Sequence, residues 1–158
     1  MDITRRSATL TLRTADAVVN TNKTEMTWHN INLRVLLNGM FDEFENFILV
    51  ADTFATNFLA SSNLTDLSVY STVEGLPWMN QGYIAGGQVT QEATLFPIVF
   101  STAVETIYHG LQVPLVFSKN QNTATITIRY KTILGGAITN ATPFPDAIFV
   151  FKVYGLPR

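Results

Sequence analysis

Apolar and polar positions alternate along most of this chain. In SATLTLR, Ala8, Leu10 and Leu12 oppose Thr9, Thr11 and Arg13, the period-two pattern of a strand with one wet face. The cleanest case is TATITIRY, where Ala124, Ile126, Ile128 and Tyr130 oppose Thr123, Thr125, Thr127 and Arg129. LSVYSTV places Leu67, Val69, Ser71 and Val73 on one face. EMTWHNI predicts a further strand, residues 46–56 another, and AIFVFKVYGL a mostly apolar closing one. AVVN is a short apolar piece after Asp16. ATLFPIVFST and LQVPLVFSK are apolar enough for burial, but Pro97 and Pro114 confine them to sheet edges or bends. NTNKT at 20–24 and LGGAITNATPFPD at 134–146 read as turns, and the glycine-rich EGLPWMNQGYIAGGQ at 74–88 as an excursion loop.

One segment breaks the alternation. In WHNINLRVLLNGMFDEFENFILV, Leu33, Leu36, Leu37, Met40, Phe41 and Phe44 fall at the spacing of one helical face. Asn32 is placed to cap the start of that helix, and Asn38-Gly39 to close it. Asp42, Glu43 and Glu45 then lie at or past its C-terminus, where the helix dipole disfavours anions. A short helix ending near Gly39 follows, giving way to the strand at 46–56. The whole reads as eight or nine strands with no βαβ alternation, repeat or linker. Residues 1–158 are thus expected to form a single domain of the all-β class, an antiparallel eight-stranded jelly-roll sandwich with one short helix near residues 32–39. Length and strand count favour this over an immunoglobulin-like sandwich.

Composition narrows the function classes. Charged residues make up 14% of the chain against 47% hydrophobic, well below the usual quarter charged. A surface poor in charge repels neighbours weakly and suits a protein that lives against other copies or other proteins. Net charge is −2 and the ten basic residues are scattered, which is no footprint for nucleic acid. With no cysteine there are no disulfides, thiolate nucleophiles or soft-metal sites, as expected of a protein assembled in a reducing cytosol. No apolar run approaches a membrane span, and MDITRRSATLTLR lacks the apolar core of a signal peptide. The expectation is a protein soluble and cytosolic where it is made, with no direct membrane insertion. The sequons at Asn22, Asn63 and Asn140 then read as turn chemistry rather than glycosylation sites.

Candidate chemistry is thin. Glu43 and Glu45, two apart, could share a strand face as the acid pair of a glycoside hydrolase, a chemistry that jelly rolls host. Flanked by Phe41, Phe44 and Phe47 at a helix end, they read better as a solvated rim, with nothing to raise a carboxylic pKa. His29 and His109 each lack the second histidine close in sequence that a metal site needs. No nucleophile elbow surrounds any serine, and GYIAGGQ lacks the lysine of a phosphate loop. No catalytic, cofactor-binding or metal-ligating residue is therefore assigned, and no enzyme activity is expected. Trp78, Met79, Tyr83 and Ile84 in the long loop are the candidate contact residues, either as an interface plug or as an aromatic platform for sugar.

The segment from Thr27 to Val50 resembles the front half of small single jelly-roll capsid proteins of nucleocytoplasmic large DNA viruses. In that family a Trp-x-Asn-Ile-Asn-Leu-Arg-x-Leu-Leu-Gly stretch precedes an aromatic, acid-rich turn and a strand. The matching positions are Trp28, Asn30, Ile31, Asn32, Leu33, Arg34, Leu36 and Leu37, with Phe41, Phe44 and Phe47 as the aromatic run. Asn38 stands where the family has glycine, which arrives here at Gly39. The resemblance implies a virion structural protein assembled in the host cytoplasm: a penton subunit at capsid five-fold vertices or, as the alternative, a minor capsid (cementing) protein. It further implies a homo-oligomer, a pentamer, in contact with the major capsid protein and other minor capsid proteins. It brings no catalytic residues. In this reading the loops at 78–88 and 135–145 meet neighbours or the exterior. A jelly-roll carbohydrate-binding module is the competing class.

Overall fold

The alternating segments become strands wherever one set of side chains can leave water. A computed structural model describes residues 7–20, 22–40, 42–56, 66–74, 83–85, 87–90, 93–99, 106–109, 115–132 and 146–156. Its strands are β1 (Ser7–Arg13), β2 (Val18–Val19), β3 (Glu25–Asn32), β4 (Asn46–Thr56), β5 (Asp66–Glu74), β6 (Tyr83–Ala85), β7 (Gln88–Thr90), β8 (Ala93–Val99), β9 (Thr106–His109), β10 (Leu115–Ser118), β11 (Thr123–Thr132) and β12 (Ala147–Gly155). The helix α1 (Leu33–Leu37) lies between β3 and β4. One sheet has the order β1-β12-β4-β10, with β9 also on β4, and the second the order β2-β3-β11-β5-β8. The class is all-β with one short helix, and every strand pair is antiparallel.

The pairing is nested. β1 pairs with β12, β3 with β11, β4 with both β9 and β10, and β5 with β8. The chain thus crosses repeatedly between the two sheets, and strands far apart in sequence lie side by side.

The expected count of eight strands needs correction, because the described residues form twelve strand segments. Three features account for the excess. AVVN supplies β2, a two-residue edge piece. TIYH, which the alternation did not assign, supplies β9 on Thr53–Thr56, while the strand expected at LQVPLVFSK is β10, on residues 46–49 of β4. The passage expected to be an excursion loop contains the β6–β7 hairpin, in which Ala85 pairs with Gln88. Two glycines separate those residues, and Gly87 has φ 81°, the backbone that two-residue hairpin turns require. Among the described residues β8, with Pro97, ends one sheet as expected and β10 ends the path of the other; Pro114 lies outside them.

The core lies between the sheets. Leu12, Phe47, Leu49, Ala51, Phe54, Phe117, Phe149, Phe151 and Val153 point inward from the first sheet, and Met26, Trp28, Ala124, Ile126, Ile128 and Tyr130 from the second. Phe54 stacks on Phe149 at 4.9 Å between ring centroids, and Phe47 on Phe117 at 5.5 Å. Trp28 meets Phe149 edge-on at 5.9 Å, and Tyr130 lies 6.1 Å from Phe54. Such pairs add about 0.5–1.5 kcal/mol each beyond their area burial. At the sandwich edge the buried Thr14 ties distant strands together: its Oγ1 accepts the Ala147 N–H at 3.0 Å and donates to the Ala147 carbonyl at 3.2 Å. Trp28 Nε1 donates to the Arg13 carbonyl at 3.0 Å, closing the same corner.

Two consequences can be measured. Gly155 lies under the Phe44 ring, and a Cβ there would overlap three ring carbons. Gly155→Ala is expected to cost about 1–3 kcal/mol by overpacking, read as a lower urea midpoint. Burial, with a smaller contribution from Asp146, raises the Tyr130 phenol above its ordinary 10.0. Above that pH the unfolded chain loses this proton while the folded chain keeps it, so stability falls as pH rises past 10. Urea titrations between about pH 9 and pH 11.5 are expected to show a shallower decline in Tyr130→Phe, the difference reaching at most about 1.4 kcal/mol per pH unit.

Candidate functional site

Helix α1 is built as its sequence requires. The Asn32 Oδ1 accepts the Val35 N–H at 3.0 Å, satisfying one of the free donors of the first turn. The Leu33 N–H goes instead to the Asn122 carbonyl at 3.0 Å, which fastens the helix to the turn before β11. Asn38 ends the helix with φ 33°, its N–H donating to the Arg34 carbonyl. Asn38 rather than Gly39 thus carries the positive φ. A 3-10 turn over Asn38–Met40 continues the stripe, so that Leu33, Leu37, Met40 and Phe44 are all buried. Phe41 lies outside the described residues.

The acids fall on the wet side. Asp42 and Glu43 are exposed, and Glu45 pairs with Lys119 Nζ at 2.9 Å. Neither Glu43 nor Glu45 stands in the dry, enclosed setting that acid–base work uses. His29 sits exposed at a bulge in β3, where Trp28 pairs with Ile126 but Ile31 with Ala124. The extra residue is absorbed at Asn30, with φ 53°, a backbone that asparagine tolerates. Among the described residues no group of three His, Cys, Asp or Glu could hold a metal ion, and no helix is long and apolar enough to cross a membrane.

Of the candidate contact residues, Trp78 and Met79 lie outside the described residues. Tyr83 and Ile84 lie on β6, opposite Thr90 and Val89, in a hairpin that among the described residues pairs with neither large sheet. The structure therefore puts two of the four on one short ribbon. The loop at 135–145 also lies outside the described residues.

Sequence reasoning missed a second surface, the outer face of the first sheet. Ile148 is 42% exposed, and Val150, Lys152 and Tyr154 follow it outward along β12, alternating with the buried Phe149, Phe151 and Val153. Neighbouring β4 turns Ile48, Val50 and Asp52 the same way. Register sets Tyr154 beside Ile48, Lys152 beside Val50, and Val150 beside Thr11 of β1, while Val116 of β10 flanks Ile48. The charges within this patch, Lys152 and Asp52, approach to 3.7 Å and offset each other. The signal lay in NFILVA and AIFVFKVY, which are apolar at both parities. Such continuous apolar runs are characteristic of strands buried on both faces.

No known protein family and no curated protein matches this chain. Among solved structures it is similar to the nucleoplasmin-like N-terminal domain of Drosophila FKBP39, at 10% identity and a TM-score of 0.34, over 97% of this chain and 94% of that one. It is also similar to Drosophila NLP-core, whose crystal structure is described as informing pentamer formation and histone binding. That match has 11% identity and a TM-score of 0.37, over 95% of this chain and 99% of the other. At these values neither likeness decides the fold or the function of this chain.

Removing the cap of α1 tests whether the helix is locally held. Asn32→Ala is expected to lower stability by about 1 kcal/mol, and Asn32→Asp to retain most of it, measured by chemical denaturation with the strand signal in circular dichroism unchanged.

Proposed function

We propose that this chain is a jelly-roll capsid subunit, a virion structural protein that works by assembling with copies of itself as a penton at capsid five-fold vertices. The nested pairing of β1 with β12, β3 with β11, β4 with β9 and β10, and β5 with β8 supports the winding. Nested pairing is what a hairpin bent double and rolled into two sheets would produce, with β2, β9 and the β6–β7 hairpin as additions to the eight-strand scheme.

The observation that carries the assembly reading is the outer face of the first sheet. Ile48, Val50, Val116, Ile148, Val150 and Tyr154 together form a weakly charged patch on strands that are apolar on both sides. Oligomer interfaces are depleted in charge and enriched in such side chains at their centre, and a cyclic homo-oligomer covers one patch per subunit with a different patch of its neighbour. The β6–β7 hairpin, carrying Tyr83 and Ile84, pairs with neither sandwich sheet among the described residues and is suited to meeting a neighbour. The residues shared with the capsid family have structural work in this reading: Trp28, Leu33 and Leu37 are core, and Asn32 is the helix cap.

Native mass across a concentration series tests the assembly. The expected result is a closed oligomer for the wild type. Val150→Lys should give a monomer whose melting temperature is nearly unchanged, since surface substitutions shift stability by only about 0.5 kcal/mol. An oligomer indifferent to Val150→Lys would exclude this face as the contact. A wild type that stays monomeric and binds major capsid protein would point to the cementing role instead.

A further inference from the structure

We propose that Asn38-Gly39 is a self-modification site, at which the folded chain deamidates its own asparagine through a cyclic imide. The reaction needs only water. The Gly39 backbone nitrogen gives up its proton to solvent base and bonds to Asn38 Cγ. The Cγ–Nδ2 bond breaks and the nitrogen leaves as ammonia, carrying the returned proton. Water then opens the five-membered ring at either carbonyl, leaving aspartate or an isoaspartyl linkage at position 38. No electrons are transferred to or from any other group.

What distinguishes this asparagine is its backbone. Ring closure requires the Gly39 nitrogen to eclipse Asn38 Cβ about the Cα–C bond. For an L-residue that arrangement falls at ψ of about −120°, because Cβ is offset by about 120° from the backbone nitrogen. Helical ψ near −42° and strand ψ near +135° both hold the nitrogen away, and so protect most asparagines in folded proteins. Asn38 has φ 33° and ψ −111°. The cap that ends α1 thus holds the nucleophile almost in the plane of the ring to be formed, and the reaction gains from the preset geometry.

The surroundings are permissive. Asn38 and Gly39 are both exposed, and the space where a Cβ at 39 would stand is empty. Asn38 shares an open surface recess with Asn32, Arg34, Val35 and Asp42. A carboxylate produced there shares the recess with the Arg34 cation, and adds a negative charge to a rim that already holds Asp42 and Glu43. The isoaspartyl product also inserts an extra main-chain atom at the cap, next to the buried Leu37 and Met40. The change is therefore a slow alteration of both charge and shape at the helix end.

The test is to incubate the purified protein at mildly alkaline pH and map its peptides by mass spectrometry over days. An unstructured synthetic peptide spanning residues 36–41 is incubated in parallel. The folded protein is expected to gain the mass of exchanging NH for O at Asn38 at least as fast as the peptide, with aspartyl and isoaspartyl forms both present. The isoaspartyl form is confirmed by its acceptance of a methyl group from an isoaspartyl methyltransferase. Gly39→Ala, which meets no neighbour, should keep the fold and slow the conversion about tenfold or more, because a Cβ hinders approach of the nitrogen. A folded protein that converts about tenfold or more slowly than the peptide would overturn the proposal, and so would equal rates in the wild type and Gly39→Ala.

Discussion

Phe54 of β4 and Phe149 of β12 stack at 4.9 Å within one sheet, and Trp28 of β3 and Tyr130 of β11 close on them from the other. This cluster is the contact on which the sandwich depends. β-Strands in isolation are marginal, and a two-sheet fold persists only if the facing side chains exclude water over a common area. Large flat rings do this with few rotatable bonds to immobilise, and their edge-on and stacked arrangements fix how the sheets sit on each other. Burial also holds the Tyr130 phenol in its neutral form past its ordinary range. The second aromatic run, Phe44, Phe47 and Phe117, extends the same interior toward the helix.

Helix α1 follows from that geometry. β3 belongs to one sheet and β4 to the other, so the chain between them must cross the mouth of the sandwich. A helical turn crosses it while turning Leu33, Leu37, Met40 and Phe44 inward as a plug. The same requirement forces the abrupt ending at Asn38, because the next residues must drop into an extended strand within a few positions. The unusual φ and ψ of Asn38 are thus the local cost of closing the sandwich, and its chemical consequence falls on the solvent side.

The two faces of β4 and β12 connect packing to proposed function. Their inward residues complete the core, and their outward residues leave Ile48, Val50, Ile148 and Val150 with little charge around them. Burying that face against a neighbour would continue the core outward rather than build a new kind of contact. It would also explain why a chain of this size carries so few charges, since a partner would keep water from much of its surface.

Much of the fold was legible along the chain. β1, β4, β11 and β12, the Asn32 cap, the short helix and the edge position of Pro97 all follow from alternation, spacing or proline chemistry that involve residues only a few positions apart. The β6–β7 hairpin was read as loop, because the glycines of YIA-GG-QVT fit either, and only the pairing of Tyr83 with Thr90 decides between them. Of the candidate contacts, Tyr83 and Ile84 gained a place in that hairpin, while the outer sheet face was passed over because apolar residues at both parities look like core from sequence alone. Nothing local could assign the pairing of β1 with β12, the short strand β9, the bulge at Asn30, or the choice of Asn38 over Gly39 for the positive φ. Those depend on residues such as Thr14 and Ala147, which bond to each other across 133 positions. Periodicity is set by neighbours in the chain and can be read there. Partnership is set by which surfaces exclude water together, and only the folded chain decides it.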